Sequence, residues 1–424
     1  MDILTGGAVL FAGEAGAVSK AVQPQPVISL DQAISLVKKE YPDIRLQEIA
    51  VEKASEEVKL ATRAFLPDID VDYIASSASG GLGLILTAAK LFTPVFSFKK
   101  LMIEKEVSRI LEKKEEVLVR SRELEAAYGV KELYATLLLQ RELSRILLEN
   151  EKRSEKRFEL VEIHHTEGGL NDEELLKEKL DLETARAEAR KTKTWREQSE
   201  YAFKRLLGLP RDEALELAPI PVSGADKFPM NLEECFRAAY EHNPVVTALL
   251  LEEEASLKRL GKKDPRFRVD GAFIGLGESS GGLFSGRPRF GVTGNFVLYD
   301  WGKDRLKKKI LGLEHSELVL KHEKEIQAFE SAITKSYFEL ERLQNEIAES
   351  GTKLELFRES KRREDILGEM GRKRQTDLLS FENEYAVQET KDFQKHLEYF
   401  LVRERLIKDM GLFSLDELKE AVAQ

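Results

Sequence analysis

The placement of proline constrains this chain more than any other feature. All twelve prolines lie at or before Pro288, and none falls between Pro94 and Pro210. A proline inside a helix removes a hydrogen bond and costs about 3 kcal/mol, so the two proline-free tracts are where long helices can run. A helix of about 40 residues reaches about 60 Å. Charged residues are 33% and aromatics 8% of the chain, a balance that suits long solvated helices better than a compact, aromatic-rich globule. In the first tract Ile103, Val107, Ile110, Val117, Leu124, Ala127, Val130, Leu133 and Leu137 recur at spacings of three, four or seven. That is a coiled-coil-like seam with polar flanks. Taken alone, such tracts suit a helical bundle or a dimeric coiled coil.

The landmarks around the tracts occur twice, in one order. Ser29-Leu30-Asp31-Gln32-Ala33-Ile34 is matched by Asn231-Leu232-Glu233-Glu234-Cys235-Phe236. Tyr41-Pro42 answers to Asn243-Pro244, and the helices after them stop near Leu66-Pro67 and Asp264-Pro265, the second about one turn shorter. Gly-rich loops follow at Ser77 to Leu82 and at Ser279 to Leu283, then strand-like runs, then the long tracts. The tracts close at Leu207-Gly208-Leu209-Pro210 and Met410-Gly411-Leu412-Phe413. This divides the chain into an N-terminal extension or leader (1–27), a first repeat (28–210), a Pro-rich linker (211–230), a second repeat (231–413) and a C-terminal tail (414–424).

After Pro67 the helical period gives way to alternation. Asp68, Asp70 and Asp72 oppose Ile69, Val71 and Tyr73; Arg266, Arg268 and Asp270 oppose Phe267, Val269 and Phe273. Before the second tract, Phe290, Val292, Gly294, Phe296 and Leu298 share a face. The run from Leu82 towards Phe96 is less regular, disturbed by Lys90 and Pro94. Each segment is near the ~9–11 residues a tilted strand needs to cross a bilayer. A soluble antiparallel sheet with one buried face gives the same pattern. Four strands, however, fall short of the roughly eight that close a barrel, and an open sheet exposes its edges. Identical copies completing one cylinder remove those edges, although the spacing does not choose two copies over three. In that case Ile69, Val71, Tyr73, Phe267, Val269, Phe290, Val292 and Phe296 face lipid.

Other classes fare worse. No stretch approaches the roughly 20 apolar residues of a spanning helix. The net charge of −10 is well mixed, with no basic block to suggest nucleic acid. One cysteine, Cys235, permits no internal disulfide. Gly-rich phosphate loops, Cys-x-x-Cys, His-Glu-x-x-His and nucleophile elbows are missing from the sequence, so no enzyme, cofactor or metal site is expected. His164 and His165 are adjacent and point apart on a helix. Residues 1–22 carry a mildly apolar stretch, but Asp2 and Glu14 interrupt it and no basic residue precedes Lys20; it reads as a mis-started signal or a loose leader.

Over about Ile28 to Phe413 the chain resembles the TolC-like outer-membrane efflux family. The resemblance is carried by Leu30-Asp31-Gln32-Ala33-Ile34, Asn243-Pro244, Leu66-Pro67 and Leu298-Tyr299-Asp300-Trp301-Gly302, together with two helical-tip elements, Gly168 to Leu176 and Gly371 to Leu379. Both tips look like the family's Gly-x-x-(Ser/Thr)-x-x-(Asp/Glu)-Leu-Leu, with Asn171 and Arg374 at the hydroxyl position. The resemblance implies a mainly α fold with a small β part: long antiparallel helical hairpins forming an α-barrel, and four strands per chain given to a trimeric transmembrane β-barrel. It further implies a homotrimer in the outer membrane with most of the chain periplasmic, acting as a passive duct. The tips would dock a periplasmic adaptor (membrane fusion) protein joined to an inner-membrane pump, and outer-membrane lipid would surround the strands. A soluble coiled-coil scaffold is the other reading the sequence permits.

Within this frame Asp377 stands at an acidic position of a periplasmic entrance, where a ring of carboxylates favours cations; as a bland alternative it caps its helix. The next acidic position holds Ser380, Lys373 stands where the family's arginine would be, and Gly368 where its tyrosine would be, so a latch of the same chemistry is not expected. Gly169, Leu170, Asn171, Gly371, Arg372 and Arg374 are the expected adaptor-docking tips, with Gly169 and Gly371 reversing the chain. Lys99, Lys100, Lys303, Arg305 and Lys307 to Lys309 follow the strands, either snorkelling at headgroups or simply solvated.

Overall fold

The computed structural model describes residues 27–66, 70–75, 82–87, 93–212, 215–220, 228–261, 267–276, 288–296, 299–370, 375–414 and 416–418; in the four longer strands and at 40, 93–97, 369 and 375–377 it describes backbone only. In chain order these residues form β1 (Val27–Ile28), α1 (Leu30–Glu40), α2 (Pro42–Arg63), β2 (Asp70–Ala75), β3 (Leu82–Thr87), α3 (Thr93–Thr166) and α4 (Asp172–Leu206). Then come β4 (Glu216–Leu217), α5 (Leu232–His242), α6 (Pro244–Leu260), β5 (Phe267–Leu276), β6 (Pro288–Phe296), α7 (Lys303–Glu369) and α8 (Gln375–Asp409). The fold is mainly α with a small β part.

The repeated sequence landmarks have simple local causes. Ser29 and Asn231 cap α1 and α5 through their side chains, and Gln32 and Glu234 reach back to the cap N–H, completing a capping box in each case. Both helices have 11 residues. Each then breaks at the residue before proline: Tyr41 sits at φ −70°, ψ 121° and Asn243 at φ −73°, ψ 119°. Proline's ring excludes the helical conformation for its predecessor but suits the first turn of the next helix. Hence α2 and α6 restart at once on new axes. They have 22 and 17 residues, and α3 and α7 have 74 and 67. The closing helices α4 and α8 both have 35. By rise per residue α3 alone is about 110 Å long.

Packing follows from these lengths. Helix α3 lies against α4 along one part and against α2 and α6 along another, while α7 pairs with α8 and α6. The helix row therefore runs α2-α3-α6-α7, and the sheet runs in parallel as β2-β3-β5-β6, all antiparallel. Two cores sit at the middle of the molecule. In one, Tyr134, Val130, Leu137 and Phe203 pack with Val37, Ile28, Leu215 and Leu217. In the other, Cys235, Ala239, Ile333, Leu343, Leu406 and Met410 pack together. A smaller cluster of Ala135, Leu397 and Phe400 touches α3 and α8 at once. Lys131, nearly buried, places its Nζ 2.7 Å from Glu404 Oε2 and 2.7 Å from the Phe413 carbonyl.

Several expectations need correction. The linker folds back: β4 pairs in parallel with β1, and the Tyr134 hydroxyl lies 3.0 Å from the Ile28 carbonyl and 2.7 Å from that of Ala218. Helix α3 begins at Thr93, so Pro94 and Phe96 belong to its first turn rather than to a strand. The described parts of β2 and β3 have 6 residues each, and those of β5 and β6 have 10 and 9. A register shift between Val269 and Gly271 places Phe273 opposite Gly291, out of phase with Phe267 and Val269; a bulge shifts the two-residue alternation by one. Past residue 413 the chain is tied down: Leu418 is fully buried.

The close of α8 shows how tight the middle is. Gly411 has φ +84°, and a Cβ there would lie 2.4 Å from the His242 carbonyl and 2.6 Å from Asn243 Cα. We predict that Gly411→Ala lowers stability by about 2–4 kcal/mol in denaturant unfolding. Gly129→Ala, where a Cβ meets nothing within 4 Å, should raise it by about 0.5–1 kcal/mol. Burial, with a smaller effect from Glu234, pushes the Cys235 thiol up to about 12. Iodoacetamide at neutral pH should therefore label Cys235 only when this core opens, as read by mass spectrometry along a denaturant series.

Candidate functional site

The chain reverses direction at one end of the long helices, after α3 and again after α7. After α3, Gly168 takes φ +79°. Its N–H bonds to the His165 carbonyl at 3.0 Å, and the Gly169 N–H bonds to that of His164 at 2.9 Å. This is a Schellman closure, and the residue in the left-handed region is Gly168, not Gly169 as the sequence suggested. Leu170 follows, and Asn171 caps α4 through Glu174 N–H at 2.8 Å, with Glu174 returning the bond to complete a capping box. The asparagine thus does locally what a Ser or Thr does at that position. His165 Nε2 lies 2.8 Å from Asp172 Oδ1 across the turn, while His164 points elsewhere, 3.6 Å from Glu167.

The second reversal joins α7 to α8. Gly371, Arg372, Lys373 and Arg374 lie outside the described residues, as does Ile69 of the strands. Asp377 is in the first turn of α8 by its backbone. Gly368 is described, and a Cβ on it would lie 2.5 Å from Leu378 Cδ1. Leu378 therefore fills the space that a tyrosine at position 368 would need.

Arg157 is the residue that joins the two reversals. From α3 its Nε donates to Glu178 Oε2 at 2.6 Å and its Nη2 to Asp181 Oδ2 at 3.0 Å, both on α4. Its Nη1 donates to Ser380 Oγ of α8 at 3.0 Å. Three donors of one planar guanidinium are thus used on two other helices, a geometry lysine does not offer. Beside it lies a polar cavity of about 250 Å³ between α3, α4 and α8, lined in part by Asn150, Arg153, Asp181 and Asn383. Arg153 Nε and Nη2 and Asn383 Oδ1 are buried there with no protein partner among the described residues. Sequence reasoning picked out Ser380 but missed Arg157. A signal existed: Arg157 stands three residues after buried Ser154 and four before buried Val161, a seam position where arginine is out of place without acceptors.

At the opposite end lie the strands. Val71 pairs with Leu86 and Tyr73 with Leu84, Phe267 with Phe296, Val269 with Gly294, Val292 with Ala272 and Phe290 with Ile274. The edge strands β2 and β6 each have one neighbour among the described residues. The helix row has unpartnered ends too. On α2, Leu46, Ile49 and Leu60 are more than half exposed, and on α7 so are Leu306, Ile310, Leu313 and Leu320. The α7 residues recur at spacings of four, three and seven, the pattern of a coiled-coil seam. Trp195 on α4 and Trp301 before α7 are exposed in the single chain. No group of three or more His, Cys, Asp or Glu among the described residues is placed to hold a metal. None of their helices is long and apolar enough to cross a membrane.

Removing the Arg157 side chain leaves Glu178 half-buried without its cation. We predict that Arg157→Ala destabilises this end by about 1.5–3 kcal/mol, read as faster hydrogen exchange in the first turns of α4 and α8 while the mid-molecule cores keep their protection.

Residues 33–209 match the family of outer membrane efflux proteins. Among solved structures, the Campylobacter jejuni CmeC outer membrane channel is 14% identical, covers 99% of this chain and 97% of its own, and has a TM-score of 0.72. The open state of the Neisseria gonorrhoeae MtrE outer membrane channel is 17% identical over 90% of this chain and 89% of its own, TM-score 0.71. The outer membrane protein VceC of Vibrio cholerae is 15% identical over 91% and 97%, TM-score 0.70. No curated protein sequence matches the chain.

Proposed function

We propose that this chain is a TolC-like outer membrane efflux protein, the outer-membrane duct of a tripartite efflux or export system, and works as a homotrimer; the family match over residues 33–209 and the shared fold support the reading. One observation carries the reading. Among the described residues the helix row α2-α3-α6-α7 and the strand row β2-β3-β5-β6 are both open, ending at α2 and β2 on one side and at α7 and β6 on the other. An open sheet is a template for another strand, and exposed apolar seams on α2 and α7 need cover. An interface between unlike ends is heterologous, and it closes only as a ring. A ring of copies pairs β6 of one with β2 of the next and α7 of one with α2 of the next. Strands then form one cylinder through lipid, and the helices continue it as a tube through the periplasm. Three copies are what the resemblance to that family implies.

The reversals at the far end then form the tube's mouth. Its rim offers Gly169, Leu170 and Asn171 from one turn and Gly371, Arg372 and Arg374 from the other to a periplasmic adaptor, which links to an inner-membrane pump. Asp377, with Lys373 and Ser380 near it in sequence, gives the entrance its charge. The protein moves nothing by its own chemistry. It supplies a passage, and energy comes from the pump.

Two measurements test this. Extracted in detergent, the full chain should run as a heat-sensitive trimer and conduct ions in planar bilayers; a monomer soluble without detergent and silent in bilayers overturns the proposal. Asp377→Asn should lower the cation-over-anion permeability ratio with trimer stability unchanged. An unaltered ratio removes Asp377 from the entrance.

A further inference from the structure

Basic side chains from three helices far apart in sequence converge near the strand end of the long helices. Between the stretch Lys100 to Leu111 of α3 and the stretch Asp304 to Leu311 of α7 lies a cavity of about 1090 Å³. Glu57 of α2 and Arg259 of α6 line it as well, so all four helices of the row reach it. A cavity shared by the first and last helices of a row lies on the side towards which the row curves. In the ring proposed above that side is the lumen. The cavity is then a bay in the wall of the duct, close to where helices give way to strands.

The charge of the bay is opposite to that of the chain. Lys100, Arg259, Arg305, Lys307 and Lys308 line it against Glu57, Glu104 and Asp304, an excess of two positive charges (five minus three) in a chain of net −10. The cations come from α3, α6 and α7 rather than from one run, and Lys303 and Lys309, in the same turns of α7, are outside the lining. Hydrocarbon lies between the charges, from Ile103 and Leu111 of α3 and Leu311 of α7. Small-molecule sites occupy about 300–1,000 Å³, so the bay is at the large end of that range. The carboxylate of Asp377 does not offset its field. Asp377 lies beyond the far end of α7, about 100 Å away by rise per residue, and charges in physiological salt are screened over about 8 Å.

Resting on the duct reading above, we propose that this bay holds the substrate in transit and selects anionic amphiphiles, small molecules with a carboxylate, sulfonate or phosphate group on an apolar body. Arg259, Arg305 and Lys308 hold the anionic group, and Ile103, Leu111 and Leu311 take the body. Guanidinium and ammonium groups bind such anions through charge-assisted hydrogen bonds, whereas a cation of the same shape meets repulsion. In the ring each copy brings one such bay to the shared lumen, at the last station before the barrel.

The probes are anilinonaphthalene sulfonate and phenylnaphthylamine, which carries the same rings without the sulfonate. Each is added to single channels of the full-length protein in planar bilayers, and block of the current is read. We expect the sulfonate to reach half-block at a concentration about tenfold lower than the neutral probe. Arg259→Gln/Arg305→Gln/Lys308→Gln should raise that concentration to the neutral probe's, and Lys303→Gln/Lys309→Gln should leave it unchanged. Equal block by both probes, or block untouched by the triple substitution, overturns the proposal. So does an equal loss in the Lys303 and Lys309 variant, which makes the effect one of overall charge. Inorganic sulfate blocking as well as the sulfonate probe overturns the amphiphile as occupant. Conducting channels that ignore both probes sink the bay alone, and channels that never conduct sink it together with the duct.

Discussion

Everything in this molecule hangs from a cation placed where water barely reaches. Lys131 of α3 meets Glu404 of α8 and the Phe413 carbonyl, and so ties the first half of the chain to the second at mid-length. A buried pair is a weak source of net stability, since desolvation offsets most of the attraction, but losing one partner is severe, about 3–5 kcal/mol. Its effect is on alignment. Helices as long as α3 and α8 can slide past each other by a turn with little loss of apolar contact, and a buried charge has one acceptable register. Tyr134 acts similarly on the first half, drawing β1 and the returning linker to α3.

With the register set there, both ends are free to specialise. One end carries a sheet and a helix row that stop short of closure; the other carries two reversals joined by Arg157. A lone copy leaves apolar seams on α2 and α7 in water, and the proposed ring would cover them. In that ring stability and duct formation are one process, because the surfaces that would make a monomer aggregate are those that would line up between neighbours.

Much of this was legible in the residues. Prolines marked the breaks before α2 and α6 because their ring acts on a single neighbour, and the capping residues Ser29, Asn171 and Asn231 act over three positions. Local rules of that kind are written locally. What stayed hidden depends on distant partners or on one extra residue. The bulge near Asp270 shifts phase without any change in composition. The pairing of β1 with β4 involves two residues on each side, too few for a pattern. At the first tip the sequence offered two glycines in a row, and only the backbone shows that Gly168 carries the turn. Arg157 was passed over since its acceptors lie on α4 and α8, and its one trace was an ill-suited place on the seam.

The two halves differ in length where they approach the membrane and agree where they leave it. α2 exceeds α6 by five residues and α3 exceeds α7 by seven (22 against 17, 74 against 67), while α4 and α8 match at 35. At the helical rise these differences amount to about 8–10 Å along the axis. The two β-hairpins are therefore delivered to the sheet at different heights, and neighbours offset in height must lean to pair. A closed barrel requires such a lean. In the ring proposed above, the offset that such a lean needs is already present in the helix lengths.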